Sequence, residues 1–129
     1  MADMSNVLEI ALLNSTLNGA SFTAVDNPYV SLWTTDPTDA ETGTEVSGGS
    51  YARAVSSFPT ATTNTVATDA DVTFATATAT WGTVGWIGLH SSATGTGNMI
   101  YHTALDAAKT IDTGDVFKIT AGNLTVTLD

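Results

Sequence analysis

VGWIGLHSSATGTGNMIYHTAL, residues 84–105, carries the pattern that decides the fold. Apolar stretches flank SSATGTGN, whose glycines and small polar residues suit a hairpin-type turn, so the segment reads as one strand, a turn and a return strand. Gly85 and Gly88 interrupt the first strand, and a glycine inside a strand pattern marks a bulge or the close approach of another backbone. His90 and His102 stand on the two arms, in strands expected to be neighbours.

Working outward, the same period of two recurs. YVSLWT (29–34), YARAVSSF (51–58), VFKI (116–119) and NLTVTLD (123–129) each read as strands, the last with Leu124, Val126 and Leu128 on a dry face and Thr125 and Thr127 on a wet one. In DVTFATATATW (71–81), Thr73, Ala75, Ala77, Ala79 and Trp81 fall on one face, and Phe74, Thr76, Thr78 and Thr80 on the other. The intervening PTATTNTVATDAD (59–71) reads as a surface loop. Threonine is abundant, and its branched side chain packs well on a pleated surface. Seven or eight short strands separated by turns predict an all-β fold, a β-sandwich with jelly-roll or Greek-key wiring, with a barrel as the alternative. Residues 1–129 are expected to form a single domain.

One short N-terminal α-helix is predicted within residues 1–20. Asn6 and Glu9 have the spacing of a capping box, Val7, Ile10, Leu13 and Leu17 repeat at helical spacing, and Asn18-Gly19 is a stop signal. The stripe is expected to bury against its own domain, with docking on a neighbouring subunit as the alternative.

Composition narrows the function. There is no cysteine, which excludes disulfides, zinc ribbons and a thiol nucleophile. The chain has 13 acidic and 3 basic residues, for a net charge of -10, and its cations are Arg53, Lys109 and Lys118. Nucleic acid requires clustered cations to neutralise phosphates, so no nucleic-acid partner is expected. Neither is a membrane partner: no apolar run approaches the roughly 20 residues a span needs, and an anionic surface would repel this charge. The N-terminal sequence lacks the positively charged start of a secretory signal.

Candidate chemistry is sparse. Asp112-Thr113-Gly114 is the tripeptide of aspartic proteases, which makes an aspartic-type hydrolase using Asp112 a distant possibility; equally, Asp-x-Gly is what a tight turn prefers. Asp36, Asp39, Glu41 and Glu45 in TTDPTDAETGTEVSGGSYAR (34–53) lack the ligand spacing of a calcium loop, and we read them as a solvated connection with turns at Asp36-Pro37 and Gly48-Gly49. His90 and His102 are expected to be hydrogen-bonded strand residues rather than metal ligands. The aromatic residues at alternating positions suit core packing. No catalytic residue, metal or cofactor is expected.

The order of segments carries a resemblance across nearly the whole chain. An apolar N-terminal helix ending near ALLN, then TDPTDAETGTEVSGGSYAR, then ATWGTVGWIGL with GNMIYH, and a closing KTIDTGDVFKITAGNLTVTL resemble small tailed-bacteriophage virion proteins, a group named as tail fibre or minor structural proteins and similar to capsid cement proteins. The resemblance implies a virion structural protein, not an enzyme. It further implies a capsid cement or decoration protein on the outer surface of the head, with a tail or tail-fibre component as the alternative, made in the bacterial host cytoplasm. The implied partners are sister copies in a homotrimer and the major capsid protein. Leu8, Leu12, Leu13 and Leu17 of the helix, together with Trp33 and Trp86, are the interface residues expected from it.

Overall fold

The structure, a computed structural model, describes residues 2–128. Its elements in chain order are β1 (Asp3–Met4), α1 (Asn6–Leu17), β2 (Tyr29–Trp33), β3 (Ala54–Val55), β4 (Thr65–Ala67), β5 (Val72–Thr73), β6 (Gly82–His90), β7 (Met99–Ile111), β8 (Lys118–Ile119) and β9 (Thr125–Thr127). The fold is all-β and sandwich-like with one short helix, as the alternating patterns predict. A five-stranded antiparallel sheet runs in the order β1-β7-β6-β2-β3, and β4-β9 and β5-β8 form two small antiparallel pairs.

The β6–β7 hairpin is the spine. Its register runs from Gly82 opposite Ile111 to His90 opposite Met99, and breaks between Val84 and Trp86, where Gly85 sits, and again between Leu89 and His90. Gly85 is thus the predicted bulge. Gly88 meets the other half of the expectation, with side chains in place of a backbone: a Cβ there would lie 2.8 Å from Ser31 Oγ and 3.1 Å from both His90 Nε2 and Met99 Sδ. β2 lies between β6 and β3, and Val30 to Trp33 are buried on both faces, so this strand reads as an unbroken run.

One core forms between the large sheet and the small pairs. Val30, Leu32, Val84, Ile87 and Leu89 meet Val72, Phe74, Trp81, Phe117, Leu124 and Val126. Each such side chain, taken from water, stabilises the fold by roughly 1.5–3 kcal/mol. Phe74 is the hub of an aromatic group, edge-on to Phe117 at 5.6 Å and to Trp81 at 6.5 Å. β9 behaves in part as its sequence promises: Leu124 and Val126 are buried and Thr125 is exposed, but Leu128, just past the strand's end and expected on the dry face, is exposed.

Several boundaries differ from the sequence reading. The alternation over 71–81 slips: Val72, Phe74, Ala77 and Trp81 are the buried positions, not Ala75 and Ala79. The cause is that the chain leaves strand geometry after Thr73 and bonds to loops instead, with Ala77 N donating to Asp115 O and Thr78 N to Gly49 O. The strand expected over 51–58 shrinks to Ala54–Val55, because Tyr51 and Arg53 are drawn into a side-chain network described below. The supposed loop 59–71 contains β4, which pairs with β9. The return strand of the hairpin continues to Ile111, beyond the predicted Leu105.

The opposite face of the sheet is covered by α1 and by the acidic segment. The helix is capped one residue earlier than predicted: Ser5 Oγ accepts from Leu8 N at 3.3 Å and donates to Met99 O on β7. Asn6 N donates to Asp39 O, which joins helix and loop. Replacing Ser5 by alanine removes both the cap and the tie to β7, and the folding free energy should fall by about 1–2 kcal/mol; a urea melt of the variant checks this, and an unchanged midpoint would show the cap to be dispensable. Among the described residues no helix is long and apolar enough to cross a membrane.

Candidate functional site

The acidic segment is more than the solvated connection the sequence suggests: Asp36 and Asp39 are exposed as expected, but Glu41 and Glu45 are drawn inward and bonded to the rest of the fold. Glu45 accepts from Arg53 Nη2 and Nε, both at 2.8 Å, and from Tyr51 Oη at 2.7 Å. Arg53 also donates to Ser92 O and Asn98 Oδ1 at 3.1 Å and to Gly95 O at 2.8 Å. One guanidinium therefore clamps the acidic segment to the hairpin turn 91–98. Asp39 adds a second tie through His102 Nε2 at 2.7 Å, and Glu41 a third by accepting from Gly97 N at 2.7 Å. The segment's turns are as expected: Thr38 N donates to the Asp36 side chain, and Gly48 and Gly49 have positive φ. Gly43 is required for a different reason, since a Cβ there would lie 2.4 Å from Asp36 O.

Behind the clamp lies a sealed polar chain. Asn98 Nδ2 donates to Thr94 O and Thr96 O, so its Oδ1 is the acceptor facing Arg53 and His90. His90 Nδ1 then carries the proton and donates to Asn98 Oδ1 at 2.7 Å. That leaves Nε2 bare to accept from Ser31 Oγ at 2.8 Å, while Ser31 Oγ accepts from Trp33 Nε1 at 2.7 Å. The Trp33 ring stacks on His90 with centroids 6.3 Å apart. Glu41 Oε1, 3.7 Å from His90 Nδ1, makes no hydrogen bond although its side chain is only 7 % exposed.

A serine bonded to a histidine beside a carboxylate is the geometry of an activated nucleophile. Here Ser31 and His90 are both 0 % exposed, and Gly88 and Met99 close over them. A reacting carbonyl has no path to Ser31 Oγ, so the arrangement as it stands braces the sheet. Sequence reasoning missed it because Ser31 and His90 are brought together only by the β2–β6 register, Tyr29 opposite His90. The two histidines do lie on neighbouring strands, but each bonds to its own partner and not to the other. Among the described residues no group of three or more His, Cys, Asp or Glu is placed to hold a metal ion.

Asp112 sits in an exposed turn. Its backbone N–H donates to the Asp115 carboxylate at 2.9 Å, Asp115 N donates back to Asp112 O, and Gly114 takes φ +92°. The Asp-Thr-Gly tripeptide thus serves the turn.

Electrostatics give the clamp a pH signature. Burial opposes the charge of Glu45, but hydrogen bonds from Arg53 and Tyr51 outweigh it and hold the carboxyl below its ordinary 4.5. Burial, with the Arg53 charge, pushes His90 below its ordinary 6.5, against the opposing pull of Asn98, Glu41 and Glu45. Burial likewise keeps Tyr51 protonated well beyond the usual range. For both His90 and Glu45 the unfolded chain takes up the proton first as pH falls, so stability is full above the unfolded value and declines below it. Stability should therefore fall in two stages on acidification, one beginning near 6.5 and one below 4.5. Urea midpoints measured across that range check it, and His90→Gln should abolish the upper stage alone.

The predicted interface residues divide. Leu8 and Trp33 are buried within the chain, Leu12 and Trp86 are half-buried, and Leu13 and Leu17 are exposed. The helical stripe does not bury against its own domain: Val7, Ile10, Leu13 and Leu17 all face outward, and the packing face is Leu8, Ala11, Leu12 and Ser15.

Compared with known families, residues 3–127 match a family model described as Podophage GP4 fiber I protein gp80. No curated protein matches the sequence.

Proposed function

Because the chain belongs to the family described as Podophage GP4 fiber I protein gp80, we propose that this small virion structural protein is a fibre component of a podophage tail, acting by contact with other virion subunits and not by catalysis. The family match along the chain carries this reading. The fibre role takes precedence over the capsid cement role implied by the resemblance, because the family description names a fibre and no shell component. The fold agrees with it in kind. Its serine–histidine pair is sealed, its Asp-Thr-Gly is a turn, and its acidic segment is locked in place, so the surface it offers is shape and charge. A net charge of -10 also suits a site away from packaged DNA.

The test is where the chain sits on the particle. Gold-labelled antibody raised against the purified chain, applied to intact virions, should decorate the tail appendages in electron micrographs. Label distributed over the head lattice would overturn the fibre reading in favour of cement, and particles without label would overturn both.

A further inference from the structure

The end of α1 carries a pair of residues with covalent chemistry of its own. Asn18 caps the helix, its N–H donating to Asn14 O at 3.0 Å, and Gly19 follows at φ +68°. In an Asn-Gly pair the glycine nitrogen can close a succinimide ring on the asparagine side chain, and the missing Cβ removes the bulk that obstructs the approach. The fold leaves that closure open. Residues 16–24 form an unbroken exposed run. A Cβ built on Gly19 meets nothing within 4 Å, and among the described residues neither Gly19 N nor the Asn18 side-chain amide has a hydrogen-bond partner. Closing the ring turns the chain about the Asn18 Cα–C bond, and the local bond this breaks is that of Ala20 N to Asn14 O at 3.1 Å.

The chain's other asparagines are held back. Asn27 precedes Pro28, which has no N–H to attack with. Asn6 and Asn64 precede the β-branched Val7 and Thr65, and Asn98 and Asn123 precede Met99 and Leu124, whose side chains crowd the attacking nitrogen. Asn98 is fixed besides by its bonds to Arg53, Thr94 O and Thr96 O. Asn14-Ser15 lies inside α1, where the backbone N–H groups are engaged in the helical ladder.

We propose that Asn18 is a site of spontaneous deamidation, and that its conversion loosens the end of α1. Gly19 N attacks Asn18 Cγ, and the new N–Cγ bond forms as the side-chain nitrogen leaves as ammonia, carrying the proton of Gly19 N. Water then opens the ring at either carbonyl, giving aspartate, or isoaspartate with an extra methylene in the main chain. Both products place a carboxylate at the negative end of the helix dipole, where the last turn has no basic residue to offset it. Isoaspartate also lengthens the path from Asn14 O to Ala20 N, so the bond between them is lost.

Ageing the purified full chain in warm, mildly alkaline buffer tests this, with a urea-unfolded sample beside it. Intact mass should show a single amide exchanged for an acid, and fragmentation should place it at Asn18 as a mixture of aspartate and isoaspartate. Asn18→Gln should stay unmodified over the same time. In the aged wild type, amide hydrogen exchange should quicken over residues 14–20 and be unchanged in β6 and β7. An Asn18 that stays intact in the folded chain, or another asparagine that converts ahead of it, would overturn the site, and the unfolded sample shows whether the fold is what protects it. Conversion with no change in exchange would overturn the loosening of the helix.

Discussion

Replacing Arg53 by methionine is expected to lower the folding free energy by about 3–5 kcal/mol, the range for removing one partner of a buried ion pair. The arginine side chain is 4 % exposed, and all its hydrogen bonds go to this one neighbourhood: Glu45, Ser92, Asn98 and Gly95. Methionine keeps most of the volume but leaves Glu45 facing Tyr51 without a cation, and frees three acceptors on the hairpin turn. The loss should appear as a lower urea midpoint and as faster hydrogen exchange over 36–53 and 91–98. The reverse deletion, Glu45→Gln, should cost less, because the amide still accepts from Tyr51 and the Glu45 side chain is more exposed than that of Arg53. If Arg53→Met melts like the wild type, the clamp is a surface decoration and the account of the acidic segment fails.

Trp81→Ala should cost a comparable amount, about 3–5 kcal/mol, the range for emptying a large aromatic site. Trp81 is buried between layers, edge-on to Tyr51 at 5.4 Å and to Phe74 at 6.5 Å. Its Nε1 donates to Gly49 O at 2.9 Å, so the ring also pins the glycine turn that follows the acidic segment. Trp81→Phe separates the contributions. It retains an aromatic ring and loses the donor, leaving Gly49 O with Thr78 N as its donor and opening a smaller gap, so a loss of about 1–2 kcal/mol is expected. Thermal melts at a fixed protein concentration give both values. A phenylalanine variant as unstable as the alanine one would place the whole effect in the hydrogen bond.

The strands that were legible from sequence are those with both a period and a clear boundary. β6, β7, β2 and β9 stand where their patterns place strands, although β2 is buried on both faces and does not alternate, and Gly85 and Gly88 announced the bulge and the tight approach that the fold contains. The helix was legible as a helix, but its orientation was not. Leu8 and Leu12 make one apolar line and Ile10, Leu13 and Leu17 another, and periodicity alone does not say which of two apolar lines meets the sheet. What failed was whatever depended on partners remote in the chain. The phase over 71–81 is set by Gly49 and Asp115. The acidic segment looked like a solvated connection because Arg53 draws its other acceptors from residues 92–98. Ser31, the least conspicuous member of YVSLW, acquires its partner only when β2 and β6 align.

The pairing of β1 with β7, Asp3 opposite His102 and Met4 opposite Tyr101, constrains how the molecule comes into being. As the chain is synthesised, Asp3 and Met4 must wait for Tyr101 and His102 to follow before β1 can be seated. Until then the inner and outer leucines of α1 are bare together on every nascent copy. Closing the sheet covers Leu8 and leaves Ile10, Leu13 and Leu17 bare, so the late strand decides which of the two leucine lines stays in water.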